Sequence, residues 1–255
     1  MIFRHPKAVA ILVLMLVLGA VVLLPRVQHK QAIRDAEKLL ERTLPPLTLP
    51  SENLVLTPKE EVNLPIPFTT QAPHANWDMP YQEACEEAAA LMAIRYIFNN
   101  PIDNPEDADA AILDLVRDNE VLLNNPVDQT VAQVIDLIQE VDPGISAYPL
   151  PKPTVEEIQI QLSQGNVVIV PAAGKMLMNP FYNNGGPLYH MLVLRGYTAD
   201  GYFITNDPGT KRGEGYLYPF EVIMEAMGDW NDGDPRNGEK VVLILEPQES
   251  VLDTY

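Results

Sequence analysis

The chain of 255 residues contains one cysteine, Cys85, and four histidines: His5, His29, His74 and His190. A thiol and an imidazole can form a nucleophile with its general base, the imidazole taking the proton and the thiolate attacking a carbonyl. Cys85 falls near the start of a predicted helix, where unsatisfied N–H groups and the helix dipole favour a thiolate. Glu83, Glu86 and Glu87 beside it work in the opposite direction. Taken alone, such a cysteine is most simply a small buried apolar residue. His5 and His29 flank an apolar segment and His74 sits in a loop between Pro73 and Trp77, which leaves His190 as the candidate base. It opens the apolar run Leu-Tyr-His-Met-Leu-Val-Leu, and a strand end holds a base rigidly, although a core histidine also fits there. Asp207 stands in Ile-Thr-Asn-Asp-Pro-Gly-Thr, after the return strand of a hairpin that turns at Asp200-Gly201. The turn brings Asp207, or Asn206, back towards His190, where a carboxylate would fix the tautomer and stabilise an imidazolium. A plain turn aspartate before Pro-Gly is the alternative.

The elements that must position these groups read as helices first and strands later. A helix opens at Pro80 and carries an apolar stripe of Ala84, Ala88, Leu91, Met92 and Phe98 until Asn99-Asn100-Pro101 stops it. Further helices fit Glu106–Asp118, Asp128–Glu140 and Thr154–Ser163, the last with a Thr154/Glu157 capping box and Gly165 as its stop. Strands fit Val167–Val170, His190–Tyr197, Tyr202–Thr205 and Val241–Leu245, and a helix from Phe220 to Met227 interrupts them. The layout is α+β, with a helical front half and an antiparallel sheet behind it.

Composition narrows the function classes. A net charge of −18 and a pI near 4.5 exclude a general nucleic-acid binder. A single cysteine excludes a disulfide framework and a cysteine-rich metal site. Asp229, Asp232, Asp234 and Glu239 lack the spacing of a calcium loop, and phosphate-loop and His-Glu-x-x-His motifs are missing, so no metal or cofactor is implied. Ala8–Leu24 is a run of seventeen uncharged residues behind Arg4 and Lys7, long enough to nearly span a bilayer core of about 30 Å. It reads as an uncleaved, single-pass signal anchor in the cell membrane, with a cleaved signal peptide as the alternative. A short basic N-terminus stays in the cytoplasm, which puts the body outside it. Six prolines between Leu44 and Pro67 prevent a continuous helix. The expected organisation is an anchor over 1–25, a juxtamembrane segment and linker over 26–62, a domain over 63–247 and a tail over 248–255.

The segments PFTTQAP, WDMPYQEACEEAA, GPLYHMLVLRGY and FITNDPGTKRGEGYLY together resemble the papain-like cysteine peptidases of family 39, the double-glycine or bacteriocin-processing type. More closely, they resemble the stand-alone domains of that kind that lack a transporter. The resemblance covers about residues 63–247 and implies a papain-like fold with its nucleophile helix packed on an antiparallel sheet. It also implies hydrolysis of peptide bonds in a peptide or protein substrate. By position, Cys85 would be the nucleophile, His190 the base and Asp207 the orienting group. Gln71 would complete the oxyanion hole, with Gln82 as the alternative, and Cys85-Glu86 replaces the Cys-Gly of transporter-linked members. Trp77, Gln82, Gly186, Tyr189 and Asn206 are the candidates for contacting substrate, and the loop from Gly174 to Gly186 is either an ordinary connection or a substrate-lining flap. Two other readings stay open: a catalytically silent module that binds peptides or cell-envelope components, and a thiol amidase or transpeptidase.

Overall fold

A computed structural model describes residues 57–123 and 127–247. Along them run β1 (Val62–Asn63), α1 (Cys85–Ile97), α2 (Pro105–Leu123), α3 (Val131–Val141), β2 (Ser146–Pro151), α4 (Val155–Ser163) and β3 (Val167–Ala173). Then follow β4 (Tyr189–Tyr197), β5 (Tyr202–Asn206), β6 (Glu214–Pro219), α5 (Phe220–Ala226) and β7 (Val241–Glu246). The expected anchor, most of the linker and the tail from residue 248 lie outside the described residues. Among the described residues, no helix is long and apolar enough to cross a membrane.

Local chemistry sets the helix boundaries. Thr130 and Thr154 each accept the backbone N–H three residues on, and Gln133 and Glu157 reach back to the cap N–H, so α3 and α4 both begin in capping boxes. Such a cap contributes about 1 kcal/mol over alanine. The first of these was not expected, and it starts α3 at Val131 rather than Asp128. Helix α1 also starts later than expected: Tyr81–Glu83 form a 3-10 turn, and the helix proper begins at Cys85 behind Ala84, whose side chain caps nothing. Ala88, Ala89, Ala90 and Ala93 carry no bulk, so α1 lies deep in the domain with nearly all its length buried.

The sheet is antiparallel in every ladder, in the order β2-β7-β3-β4-β5-β6, with β1 also pairing β4. Its side chains alternate between two cores, as the two-residue strand period requires. Ile169, Met191 and Val193 face a core shared with α1 and α3. Val168, Leu192 and Leu194 face another shared with Ile158 and Leu162 of α4 and Ile223 of α5. Helices therefore cover both faces, which refines the expected layout of helices in front and sheet behind. Strands β1, β2 and β6 were not anticipated. Sheet edges tolerate proline and exposed polar residues, and β2 (with Pro149 and Pro151) and β6 (with Glu214 and Pro219) lie at the two ends of the order.

The stretch leading to Gln71 is fastened to β4 and β5. Asn63 pairs Gly196, and the Leu64 N–H donates to the Arg195 carbonyl at 2.7 Å. The Asn206 amide donates to the carbonyls of Ile66 and Pro67 at 3.0 and 3.1 Å. Gly196 lets β1 approach, because a Cβ there would overlap the Val62 carbonyl.

Candidate active site

Asp207 follows β5 directly and is fully buried. Its Oδ1 lies 2.9 Å from His190 Nε2 and accepts the Gly209 N–H at 3.0 Å. Its Oδ2 accepts from Tyr182 at 2.6 Å, Tyr218 at 2.7 Å and the Asn179 amide at 3.1 Å. Burial alone would raise this carboxyl. The charge of His190 and the hydrogen bonds from His190, Tyr182 and Tyr218 outweigh it and hold the pKa below the ordinary aspartate value. Asp207 is thus an anion at neutral pH, pointed at one ring nitrogen of His190. The hairpin reasoning anticipated that contact, with Val193 opposite Asn206 in the ladder. Tyr182, Tyr218 and Asn179 were not assigned to it, since they lie 25, 11 and 28 residues from Asp207 and join it only in the folded chain.

His190 is the second residue of β4, its ring edge-on to Tyr182 at 5.6 Å between centroids. It forms part of the wall of a cleft of about 400 Å³, together with Gln71, Trp77, Gln82, Gly186 and Lys211 among others. Gly186 adopts φ 108, a left-handed conformation disfavoured by side chains, and a Cβ there would press on the Tyr182 ring.

Cys85 is the first residue of α1 and is only 6% exposed. Its thiol lies 3.0 Å from Glu86 Oε2 and also receives a hydrogen bond from the Met191 backbone. His190 is not among its partners. Burial pushes the thiol pKa well up, Glu86 adds to this by charge and hydrogen bond, and the Met191 N–H only partly offsets them. Glu86 itself is buried, its Oε1 accepting the Gln129 N–H at 3.0 Å. Burial and the neighbouring Glu87 push its carboxyl up to about 8. The resting site therefore pairs two neutral groups, a thiol and a carboxylic acid, at neutral pH.

The other sequence candidates separate. Gln71 is buried at the cleft wall, and its amide donates to the carbonyls of Tyr81 at 2.9 Å and Gln82 at 3.1 Å. Its own N–H donates to Pro208, which ties this loop to the one carrying Asp207. Gln82 is exposed, with its amide at 3.2 Å from the Met79 sulfur. Trp77 and Gly186 line the cleft. Tyr189 and Asn206 do not, contrary to expectation. Tyr189 precedes His190 on β4 and Asn206 ends β5 just before Asp207, and the alternation of side chains along the backbone turns each elsewhere. The Tyr189 hydroxyl donates to the Gln129 carbonyl at 2.8 Å and to Asp229. Asn206 is the clamp on Ile66 and Pro67 described above. In the acidic group near the C-terminal end, Asp229 accepts the Val131 N–H at the start of α3, and Asp234 pairs with Arg236.

The family model described as the Peptidase C39-like family matches residues 63–232, well over half of the chain. A crystal structure described as a C39-like peptidase from Bacillus anthracis is similar at 15% identity and a TM-score of 0.49. That match covers 74% of this chain and 99% of the other. No curated protein matches the chain. With its α+β fold and antiparallel sheet, this chain belongs to the Peptidase C39-like family.

Proposed function

We propose that the chain is a cysteine peptidase whose Cys85, His190 and Asp207 hydrolyse peptide bonds, anchored to the membrane by Ala8–Leu24 with the catalytic domain outside the cytoplasm. The observation that carries the reading is the Asp207 pedestal. A buried, ionised carboxylate takes five hydrogen bonds and aims one oxygen at His190, on a cleft beside the strand that packs against the Cys85 helix.

In this mechanism the Nε2–H of His190 stays on Asp207 and Nδ1 takes the thiol proton. For that step Sγ leaves Glu86 and turns towards the imidazole. The thiolate attacks the substrate carbonyl, and the oxyanion is held by the Cys85 N–H at the start of α1 and by a side-chain amide, each good donor contributing roughly 3–4 kcal/mol. His190 returns the proton to the leaving amine, and a water activated by His190 then cleaves the thioester. Gln71 serves as the amide donor after releasing one of its two backbone carbonyls. Gln82 is the alternative that needs no such release.

The test is hydrolysis of a fluorogenic peptide pool by the full chain. We expect Cys85→Ala and His190→Ala each to lower kcat by about a thousandfold or more. Either Gln71→Ala or Gln82→Ala should lower it by about a hundredfold, which identifies the oxyanion donor. The burial of the thiol against Glu86 favours the second reading, a silent module that binds peptides. A wild type that binds the pool and cuts none of it would replace the peptidase with that module.

A further inference from the structure

The cleft differs in charge from the molecule that carries it. The chain has 35 Asp and Glu in 255 residues, so about two of the fifteen residues lining the cleft would be acidic by composition alone. None is, and Lys211 is one of the fifteen. Lys211 is exposed, and none of the ion pairs among the described residues involves it or its neighbour Arg212, despite the abundance of carboxylates. The guanidinium of Arg212 instead lies 4.7 Å over the ring of Phe181, which is packed edge-on against Tyr216. Phe181 is 40% exposed yet held in place, since its N–H donates to Asn179, the residue that also supports Asp207. Trp77, 39% exposed, is a second exposed aromatic among the lining residues.

We infer that the cleft selects peptides carrying a carboxylate beside a large apolar side chain, with Lys211 reading the carboxylate and Phe181 and Trp77 the apolar group. This rests on the peptidase reading for its consequence in catalysis, but not for binding. The net charge of the whole chain points the other way, towards basic or neutral substrates. At physiological salt a charge is felt over about 8 Å, so the cation in the cleft decides selection at contact and the acidic surface does not. The carboxylate is either an Asp or Glu side chain or a free peptide C-terminus, since both present the same two oxygens to an ammonium group.

The test uses the full chain with Cys85→Ala, and fluorescein-labelled decapeptide pools of equal composition carrying one fixed Glu, Gln or Lys, each with a free or an amidated C-terminus. We expect the Glu pool to bind about fivefold tighter than the Gln pool, the scale of one surface ion pair, with the difference shrinking as salt is raised. If the C-terminus is the group recognised, the free-acid Gln pool gains instead and amidation removes the gain. Lys211→Ala should abolish the preference and Lys211→Glu should reverse it towards the Lys pool. Equal binding of all pools, no binding at all, or a preference that persists in Lys211→Ala overturns the inference. Cleavage by the wild type is read separately. A charge preference without cleavage removes the peptidase and leaves the inference, and cleavage without a preference does the reverse.

Discussion

Glu86 occupies the position that most alters the chemistry of the thiol. Its carboxyl is buried, lies against Sγ, and faces Glu87 on the same helix, the Gln129 N–H, and Tyr189 from β4. A carboxyl with a raised pKa holds its proton more tightly folded than unfolded. Its contribution is therefore complete below about pH 4.5 and is lost as pH rises through about 8. We expect the wild-type melting temperature to fall from pH 5 to pH 9 by on the order of 5 °C more than that of Glu86→Gln, as measured by calorimetry. Near pH 8 the Glu86 carboxyl ionises beside the thiol, and the same substitution removes that charge, so iodoacetamide should label Cys85 faster in the variant at pH 8, by about tenfold for each unit the thiol pKa drops. Equal labelling rates would show that Glu86 does not govern the thiol. The sequence contains both halves of this relation, since the carboxylates beside Cys85 oppose the helix dipole. Only folding revealed which one touches the sulfur. Tyr182, Tyr218 and Asn179 were less legible, because nothing in a linear chain marks residues from three segments as sharing one carboxylate.

Motif-bearing elements were the readable ones, and edge elements were not. The Thr154 box and the strands through His190 and Val241 announce themselves by capping chemistry or by continuous apolar runs. Strand β2 contains two prolines and β6 is half polar, so neither shows a strand period, although β2 pairs along its full length and β6 at every residue but Gly215, where the register shifts. Tyr189 and Asn206 lie off the cleft for a related reason, since neighbours in sequence along a strand point to opposite faces. The joint between β1 and β4 gives this scale its prediction. A methyl group at Gly196 has to displace the Val62 carbonyl, so Gly196→Ala should destabilise the domain by about 1–3 kcal/mol. Hydrogen exchange should show the loss first at Leu64, whose N–H is bonded to Arg195. Full protection there in the variant would mean that β1 moves without breaking.

For the whole molecule, charge and anchoring belong together. The first 42 residues carry a net +4 and the remainder about −22, so the two parts interact oppositely with an anionic lipid surface. If Ala8–Leu24 is a membrane span, the full chain should stay in the membrane pellet through an alkaline carbonate wash and through high salt, whereas a chain lacking residues 1–25 should be soluble. Release by salt alone would mean attachment by charge rather than by a hydrophobic span. The sheet carries a further consequence, for the order of events during synthesis. Strand β7 lies between β2 and β3, yet it follows them in the chain by some seventy residues or more. A nascent chain that has reached only Lys240 already contains Cys85, His190 and Asp207, but β3 lacks its neighbour β7, and the two cores lack Val242, Leu243 and Ile244. The strand that holds His190 is built on β3, so a partly made chain carries all three residues proposed for catalysis without a finished frame around them. If the proposed peptidase activity holds, a chain made in this way acquires it only after Glu246 has emerged.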